Sequence, residues 1–168
     1  MENNMSANKN KLKPDEFSVA DLFGSGQYII PIYQRNYAWG KEEVEQLLQD
    51  LMDVAQTNKG DYYYLGSLVV HQCEDGKFEI IDGQQRHTTL CILMAVLKNE
   101  LRINNEQRIN LEFRHRSISD KTLAVLFDKG LKGNVNDEME PAILAAYKIV
   151  KTFLENSQNL KVAYSGST

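Results

Sequence analysis

The segment FEIIDGQQRHTTL (78–90) constrains the fold of this chain more than any other stretch. A strand-like run ends at Asp82-Gly83, and a helical pattern begins at once with Gln84 and continues to about Leu101. Apolar residues surround much of this helix, so it is expected to be central and buried. The sequence therefore predicts a core organised around a strand that passes directly into a helix.

The same junction has the chemistry of an anion site. The first turn of a helix has free backbone N–H groups and a partial positive charge, so it accepts anions. Gly83 permits a close backbone approach, and Arg86 supplies a cation whose geometry suits phosphate. Asp82 can orient a water or hold a divalent metal ion, while Gln84 and Gln85 can bond to a phosphate, a ribose or an attacking water. The residues equally allow a capped helix, with Asp82 as N-cap and Arg86 paired to a carboxylate.

A second segment, PIYQRNYAW (31–39), has the composition of a recognition loop. It places Gln34, Arg35, Tyr37 and Trp39 between a predicted strand and a predicted helix. Loops on a rigid scaffold commonly carry binding residues. Tyr and Trp can stack on a base, and Arg35 can meet a phosphate. For Tyr37 and Trp39, packing under the following helix is the alternative interpretation.

The rest of the chain predicts short strands and helices. Helices are expected at 17–23, 41–56, 120–131 and 140–156, with Ser119 as a cap and Pro141 near a first turn. Strands are expected at 27–34, 62–70, 77–81 and 109–113, with a type I′ hairpin turn at Asp75-Gly76. The order α, β, α, β-hairpin, α, β, α, α predicts an α+β fold, a small mixed sheet with helices packed around it.

Charge limits the class of partner. The 168 residues carry 19 Lys+Arg against 23 Asp+Glu, a net charge of −4 that argues against a surface broadly dedicated to nucleic acid. Residues 101–132 are locally basic, and Arg114-His115-Arg116 is the best candidate there for contact with a DNA backbone. A solvated surface is the alternative interpretation of this basic stretch.

Several motifs are missing from the sequence. Cys73 and Cys91 lack the spacing of zinc ligands. No Walker A pattern occurs, so an NTPase built on this chain is not of the P-loop kind. The sequence has neither an apolar run of about 20 residues nor the apolar region of a secretory signal, so a cytoplasmic protein without membrane contact is expected.

Three ordered motifs, IPIYQRNYAW, YYLGSLVV and IIDGQQRHTTLCILMAVL, resemble the N-terminal domain of GmrSD-type, modification-dependent restriction endonucleases. That domain is grouped with the ParB/sulfiredoxin-like folds, in which a Gly-x-x-Arg turn at a helix start binds nucleotide phosphates. The motifs cover about 30–100, and residues 14–156 are compatible in outline. His87 stands where the family commonly has Leu. It can add a donor at the phosphate site, but we expect it on the helix surface.

The resemblance implies a site around the DGQQR motif. Catalytic roles are implied for Asp82, Gln84, Gln85 and Arg86. Nucleotide binding is implied for Gln34, Arg35, Gly83, Arg86 and Thr88. Asp82 is also the implied metal ligand, and the implied cofactor is an NTP with Mg²⁺. The implied function is an NTP-binding and NTP-hydrolysing regulatory domain of a phage-defence restriction endonuclease that acts on modified DNA.

The resemblance also bears on domain organisation and partners. Family proteins are several times longer and usually carry a C-terminal nuclease domain with an HNH-type motif. The three histidines here lack the spacing of such a centre, so DNA cleavage is expected in a further domain or partner subunit. We expect a disordered segment at 1–13, a ParB-like nucleotide-binding domain at 14–156, and a polar tail or linker at 157–168. The alternative function is a non-catalytic module that binds DNA or senses a modified base.

Overall fold

The computed structural model describes residues 15–56, 63–103, 108–133, 136 and 138–165; the predicted disordered segment 1–13 lies outside them. The helices are α1 (Val19–Gly24), α2 (Lys41–Gln56), α3 (Gln84–Asn99), α4 (Ser117–Lys129) and α5 (Pro141–Ser165), with a 3-10 helix at Gly130–Lys132. The strands are β1 (Tyr28–Ile30), β2 (Val69–Gln72), β3 (Phe78–Asp82) and β4 (Leu111–Phe113). The predicted α+β element order is confirmed.

The sheet is small and mixed, as predicted. Its strand order is β2-β3-β1-β4, with β1 parallel to both β3 and β4 and β2 antiparallel to β3. Because side chains alternate along a strand, Tyr28 and Ile30 face the helical core while Ile29 faces the other way, in register with Glu79 and Glu112. One face of the sheet is therefore covered by helices.

The carboxyl ends of the three parallel strands, β1, β3 and β4, lie at one edge of the sheet. β1 leads into residues 31–39, which we call the 31–39 loop, and β3 leads into α3. β4 ends opposite β1, with Ile30 in register with Phe113, and leads into α4. In the sheet, β3 lies on one side of β1 and β4 lies on its other side, so the chain reverses direction across the sheet between β3 and β4. Ligands in open α/β sheets bind at such a reversal of strand order, beyond the carboxyl ends.

The helix α3 is the centre of the molecule, as predicted. It packs against both α4 and α5, and its apolar residues from Leu90 to Val96 belong to the main hydrophobic core. Its first half is buried as well, although it consists largely of polar side chains. Burying polar groups is costly unless they are hydrogen-bonded, so their partners define what this part of the helix does.

The strand predicted over 62–70 has the wrong bounds, since the strand in the structure is Val69–Gln72. Pairing begins only at Val69, which lies opposite Asp82, the last residue of β3. Residues 63–68 pair with no described strand, because the chain turns into α3 beyond Asp82. Gly66 also has φ +102, outside the extended region. Of the predicted range, Tyr62 lies outside the described residues.

The predicted type I′ turn is wrong too. Gly76 N–H donates to Cys73 O (3.0 Å) and Cys73 N–H donates to Lys77 O (2.8 Å), which gives a longer loop. A type I′ turn needs positive φ at both central residues, whereas Asp75 lacks it and Gly76 has it. The hairpin itself is present, since β2 and β3 are antiparallel.

Two helix boundaries differ from expectation. Ser119 does not cap a helix: α4 starts at Ser117, and Ser119 is buried within it. Pro141 begins α5 as predicted, but that helix continues to Ser165 rather than ending at 156. No helix among the described residues is long and apolar enough to cross a membrane.

Candidate functional site

The start of α3 is held by glycine rather than by a capping side chain. Gly83 precedes the helix with φ 94°, in the left-handed region, and no side chain caps it, so the N-cap role considered for Asp82 is wrong. A Cβ at Gly83 would lie 2.9 Å from Ser67 O. The first helical bond runs from His87 N–H to Gly83 O (3.0 Å). The amides of residues 84–86 therefore have no partner within the described part of the chain.

Two adjacent glutamines fasten the 31–39 loop to α3. Gln84 Nε2 donates to Arg35 O (2.9 Å), and Gln85 Nε2 donates to Asn36 O (3.0 Å). Gln85 Oε1 accepts from the backbone N–H groups of residues 38 and 39 (2.8 and 3.2 Å). The amide of Gln85 is thus bonded at both ends. These contacts bring the two sequence motifs together.

Arg116 fastens the other side of the loop, a role that sequence reasoning missed. Its guanidinium donates to the carbonyls of Ile32 (2.9 Å) and Gln34. Gln34 in turn donates through Nε2 to Ile81 O (2.7 Å) at the end of β3. The only signal in the sequence was the basic run at 114–116, which suggested DNA contact instead.

Arg114, in the same basic run, also has a partner within the protein. Arg114 Nη1 lies 3.3 Å from Glu79 Oε2, and the pair sits on the face of the sheet away from the helices. Arg114 and Arg116 therefore both have partners in the chain. The run at 114–116 is less available to DNA than its sequence indicates.

Two cations at the site form no ion pair with any residue that the structure describes. Arg35 is exposed, and Arg86 is partly buried and donates through Nη1 to Ser67 O (3.2 Å). Neither side chain forms an ion pair with another described residue. The described part of the chain therefore does not support the interpretation in which Arg86 is paired to a carboxylate. The guanidinium of Arg86 occupies space that a side chain at Gly66 would take, since a Cβ would lie 2.7 Å from Nη1. Its position depends on glycine at 66.

Gln84 carries an unused acceptor. The residue is 5% exposed, and its Oε1 has no hydrogen-bond partner among the described residues. A buried polar atom without a partner costs about 1–3 kcal/mol, which makes this oxygen a candidate contact for a bound donor.

Thr88, which was predicted to bind the nucleotide, does not face the site in the same way, because its hydroxyl donates to Gln84 O (2.8 Å) and its side chain is fully buried. Thr88 supports the first turn from inside the fold.

His87 lies in the core, so its expected place on the helix surface is wrong. It is 2% exposed, with its ring centroid 4.8 Å from that of Tyr28 and 5.9 Å from that of Phe23. Asn110 Nδ2 donates to Leu22 O, which leaves Asn110 Oδ1 to accept from His87 Nε2 (3.2 Å). Burial lowers the pKa of His87 to about 4, so the ring is neutral near pH 7.

The two aromatic residues of the 31–39 loop have different environments. Tyr37 is 3% exposed and its hydroxyl is 2.9 Å from Thr89 Oγ1, which agrees with the packing interpretation. Burial raises the pKa of Tyr37 to about 12. Trp39 is half-buried and lines a cleft of about 310 Å³ between α2 and the side chains of Tyr63 and Leu65. The cleft is lined by Trp39, Glu43, Gln46, Leu47, Asp50, Tyr63, Leu65 and Arg86.

Asp82 is the predicted metal ligand. It is exposed at the end of β3, next to Gly83 and the free amides of α3. Among the described residues, no group of three or more His, Cys, Asp or Glu side chains is placed to hold a metal ion. A single carboxylate is compatible with Mg²⁺, which keeps several waters and is commonly held by one or two carboxylates plus substrate phosphates.

Comparison with known proteins identifies the family of this chain. A family model described as the GmrSD restriction endonuclease, N-terminal domain, matches residues 19–165. The comparison with curated proteins returns no match. The matched range begins with α1 and ends with α5, so it includes the 31–39 loop, Gly66 and the start of α3. The chain belongs to the GmrSD restriction endonuclease N-terminal domain family and is therefore a domain of a restriction system in phage defence.

Proposed function

We propose that this domain binds a nucleoside triphosphate at the start of α3 and hydrolyses it, as the regulatory step of a phage-defence restriction endonuclease. The observation that carries the proposal is the set of unpartnered amides at 84–86, which follow a left-handed Gly83. Such amides and the helix dipole favour phosphate. Arg35 and Arg86, without ion pairs among the described residues, supply the countercharge.

The 31–39 loop positions one of these cations. Gln84 holds the carbonyl of Arg35, so the backbone from which the Arg35 side chain extends is fixed beside the first turn of α3. Arg86 lies on that turn and is steadied by Ser67 O. Guanidinium groups, together with backbone amides, can stabilise the spread negative charge of a transferring phosphoryl group.

The contacts favour distinct roles for the residues of the motif. Gln85 has both ends of its amide bonded to the loop, so we assign it to positioning rather than to the reaction. Gln84 Oε1 has no partner among the described residues, which suits it to orient the attacking water. We assign Asp82 to the Mg²⁺ ion or to a water, while Thr88 braces the turn through Gln84 O. Bound Mg²⁺ would neutralise charge on the phosphate oxygens.

Support for the alternative, a DNA-binding module, is weaker. Arg114 and Arg116 have partners within the chain, and the net charge is −4. A compact anionic ligand needs only the few cations present at the start of α3. We propose that DNA is cleaved by a nuclease domain or partner subunit and that NTP hydrolysis here controls that cleavage.

The proposal is tested by measuring the binding and hydrolysis of radiolabelled NTPs with Mg²⁺. The wild type should bind at least one NTP saturably and hydrolyse it. Arg86→Ala should weaken binding by about 10- to 100-fold, because a hydrogen bond to a charged group contributes about 1.5–3 kcal/mol. Arg108→Ala removes an exposed arginine remote in sequence from both motifs and should bind like the wild type.

The same assay can overturn the proposal. If the wild type binds no NTP at any Mg²⁺ concentration, the nucleotide site is excluded for this domain. Equal binding by Arg86→Ala and Arg108→Ala would remove the phosphate site from α3. Tight binding of duplex DNA by a protein that binds no NTP would support the alternative module instead.

A further inference from the structure

Arg116 binds three carbonyl oxygens of the 31–39 loop with one guanidinium group. Nη2 donates to Ile32 O (2.9 Å) and to Gln34 O, and Nη1 makes the longest of the three contacts, at 3.5 Å from Arg35 O. A guanidinium group has five N–H donors in a rigid plane, so it holds several acceptors in a fixed arrangement. Because all three acceptors are backbone atoms, Arg116 fixes the path of the main chain.

The carbonyl of Arg35 is held from two sides. Gln84 Nε2, at the start of α3, donates to it at 2.9 Å, and Arg116 Nη1 approaches it from the segment before α4. The Arg35 side chain is exposed and forms no ion pair with a described residue. The backbone of Arg35 is therefore fixed between two helices, while its guanidinium remains accessible to an anion beside the first turn of α3.

The turn that presents Arg116 has an unusual backbone. His115 has φ 62°, in the left-handed region that residues other than glycine rarely adopt. Arg116 N–H donates to Phe113 O (3.0 Å) directly after β4, and Arg116 O accepts from Asp120 N–H (3.2 Å) in the first turn of α4. Strained conformations persist where the surrounding structure requires them, and they are common beside functional sites. Here the strained turn places Arg116 against the loop.

The partners of Arg116 are dipoles rather than charges. Arg114, in the same basic run, is paired with Glu79, whereas Arg116 has no carboxylate partner in the described part of the chain. An effect of Arg116 on a bound anion therefore has two conceivable causes, its own positive charge and the position that it gives to Arg35. Lysine separates these causes, because it keeps the charge but lacks the planar set of donors.

We propose that Arg116 is a positioning residue of the phosphate site: by holding the loop carbonyls, it sets the Arg35 guanidinium against phosphates bound at the start of α3. The inference rests on the function proposed above. Both Nη nitrogens of Arg116 donate to the loop, so we assign the side chain to the loop rather than to the ligand. A misplacement of about 1 Å at a reacting centre can cost about 100-fold in rate, so small movements of this loop matter.

The test is a double-mutant cycle in the whole chain. Calorimetry measures the binding of tripolyphosphate, ATP, GTP, CTP and UTP, each with Mg²⁺, to the wild type, Arg35→Ala, Arg116→Ala and the double variant. Each single change should weaken binding of the tightest of these ligands about ten-fold. The double variant should bind no more weakly than Arg35→Ala, because Arg116 acts through that side chain. Independent contributions would instead multiply to about 100-fold.

Two further variants separate position from charge and from a general effect of the basic run. Arg116→Lys keeps the charge and should still bind about five-fold or more weakly than the wild type. Arg114→Ala is the matched control, because Arg114 pairs with Glu79 on the face of the sheet away from the helices, and it should bind like the wild type. Urea unfolding shows which variants are folded. If Arg116→Ala does not fold, Arg116→Lys replaces it in the cycle with the same expectation of no added loss.

The outcomes distinguish this inference from the proposed function. Wild-type affinity in Arg116→Ala or Arg116→Lys would overturn the positioning role, as would multiplied losses in the double variant, and the phosphate site would stand in each case. Wild-type affinity in Arg35→Ala would also overturn it, since Arg116 would have no target, and Arg86→Ala would still test the phosphate site. If the wild type binds neither tripolyphosphate nor any of the NTPs, the proposed function fails together with this inference.

Discussion

At the scale of single residues, neighbours of the same type have different roles. Gln84 and Gln85 are both buried and both bind the 31–39 loop, but of the two only Gln84 has a side-chain oxygen without a partner in the described part of the chain. The sequence predicts that this pair matters. It cannot separate the two residues, because their partners are backbone atoms of residues 35–39, far away in the chain. The surface position expected for His87 was wrong for the same reason, since residues of α1 and β1, distant in the sequence, pack against its ring.

Gly66 provides a prediction for the site. Gly66→Ala should displace the Arg86 guanidinium and weaken NTP binding about ten-fold, because the new Cβ would lie within 3 Å of it. Gly76→Ala is the matched control, since Gly76 also has positive φ but has open space around it. Both variants should lose stability from the strained backbone. Calorimetric titration with the preferred NTP measures the difference, and equal affinities in the two variants would contradict the role of Gly66.

His87 provides a prediction for pH dependence. Its pKa is lowered from 6.5 to about 4 by burial, so the unfolded chain takes up a proton at a higher pH than the folded one. Stability from this residue is present above pH 6.5 and is lost as the pH falls toward 4. The loss should reach about 3 kcal/mol at the acid end.

Urea unfolding from pH 7 to pH 4 measures that loss. His87→Leu should show a shallower pH dependence than the wild type, whatever its stability at pH 7. His71→Leu replaces an exposed histidine and should keep the wild-type slope. A wild-type slope in His87→Leu would show that the ring is not the titrating group.

At the scale of elements, the site is a loop held by its neighbours. Gln85 from α3, Arg116 before α4 and the end of β3 all bond to the 31–39 loop. Helix and strand patterns in the sequence predict most of the elements, because amphipathicity is a local property. They overestimate β2, since pairing depends on a partner strand and β3 ends at Asp82. Loop contacts between distant residues leave no local pattern to detect.

The loop contacts can be tested by replacing Gln85. Gln85→Met keeps a side chain of similar length but removes the three bonds to residues 36, 38 and 39. We expect a loss of about 1–3 kcal/mol in the free energy of unfolding, because three partly buried hydrogen bonds are removed. Trypsin should also cleave after Arg35 faster. Gln49→Met, at an exposed position of α2, should change neither measurement, and resistance of Gln85→Met to trypsin would argue against the loop assignment.

At the scale of the whole molecule, topology explains the location of the site. The carboxyl ends of β1, β3 and β4 meet at one edge, which brings together three segments that are distant in the sequence. The order of the predicted elements indicated an α+β fold, which the structure has, and the resemblance to the GmrSD family is confirmed over residues 19–165. The cleft was not predicted, because its walls come from α2 and from Tyr63 and Leu65, and the distance between these walls depends on packing.

Net charge leads to a prediction about salt. Contact with several DNA phosphates would lower affinity by about 10³–10⁵-fold between about 50 and 200 mM salt. An NTP held by two arginines and helix amides should lose far less over the same range. Fluorescence titrations at several salt concentrations compare an NTP with duplex DNA. DNA binding that is tighter than NTP binding at every salt concentration would favour the alternative module.

The central claim is that phosphate binds at the first turn of α3. The most direct measurement is the change in backbone amide chemical shifts of the isotopically labelled chain during titration with Mg²⁺ and tripolyphosphate. We predict that the largest changes occur at Gln84, Gln85 and Arg86, whose N–H groups have no partner in the described structure. Saturable changes centred elsewhere, or none at these three amides, would contradict the account.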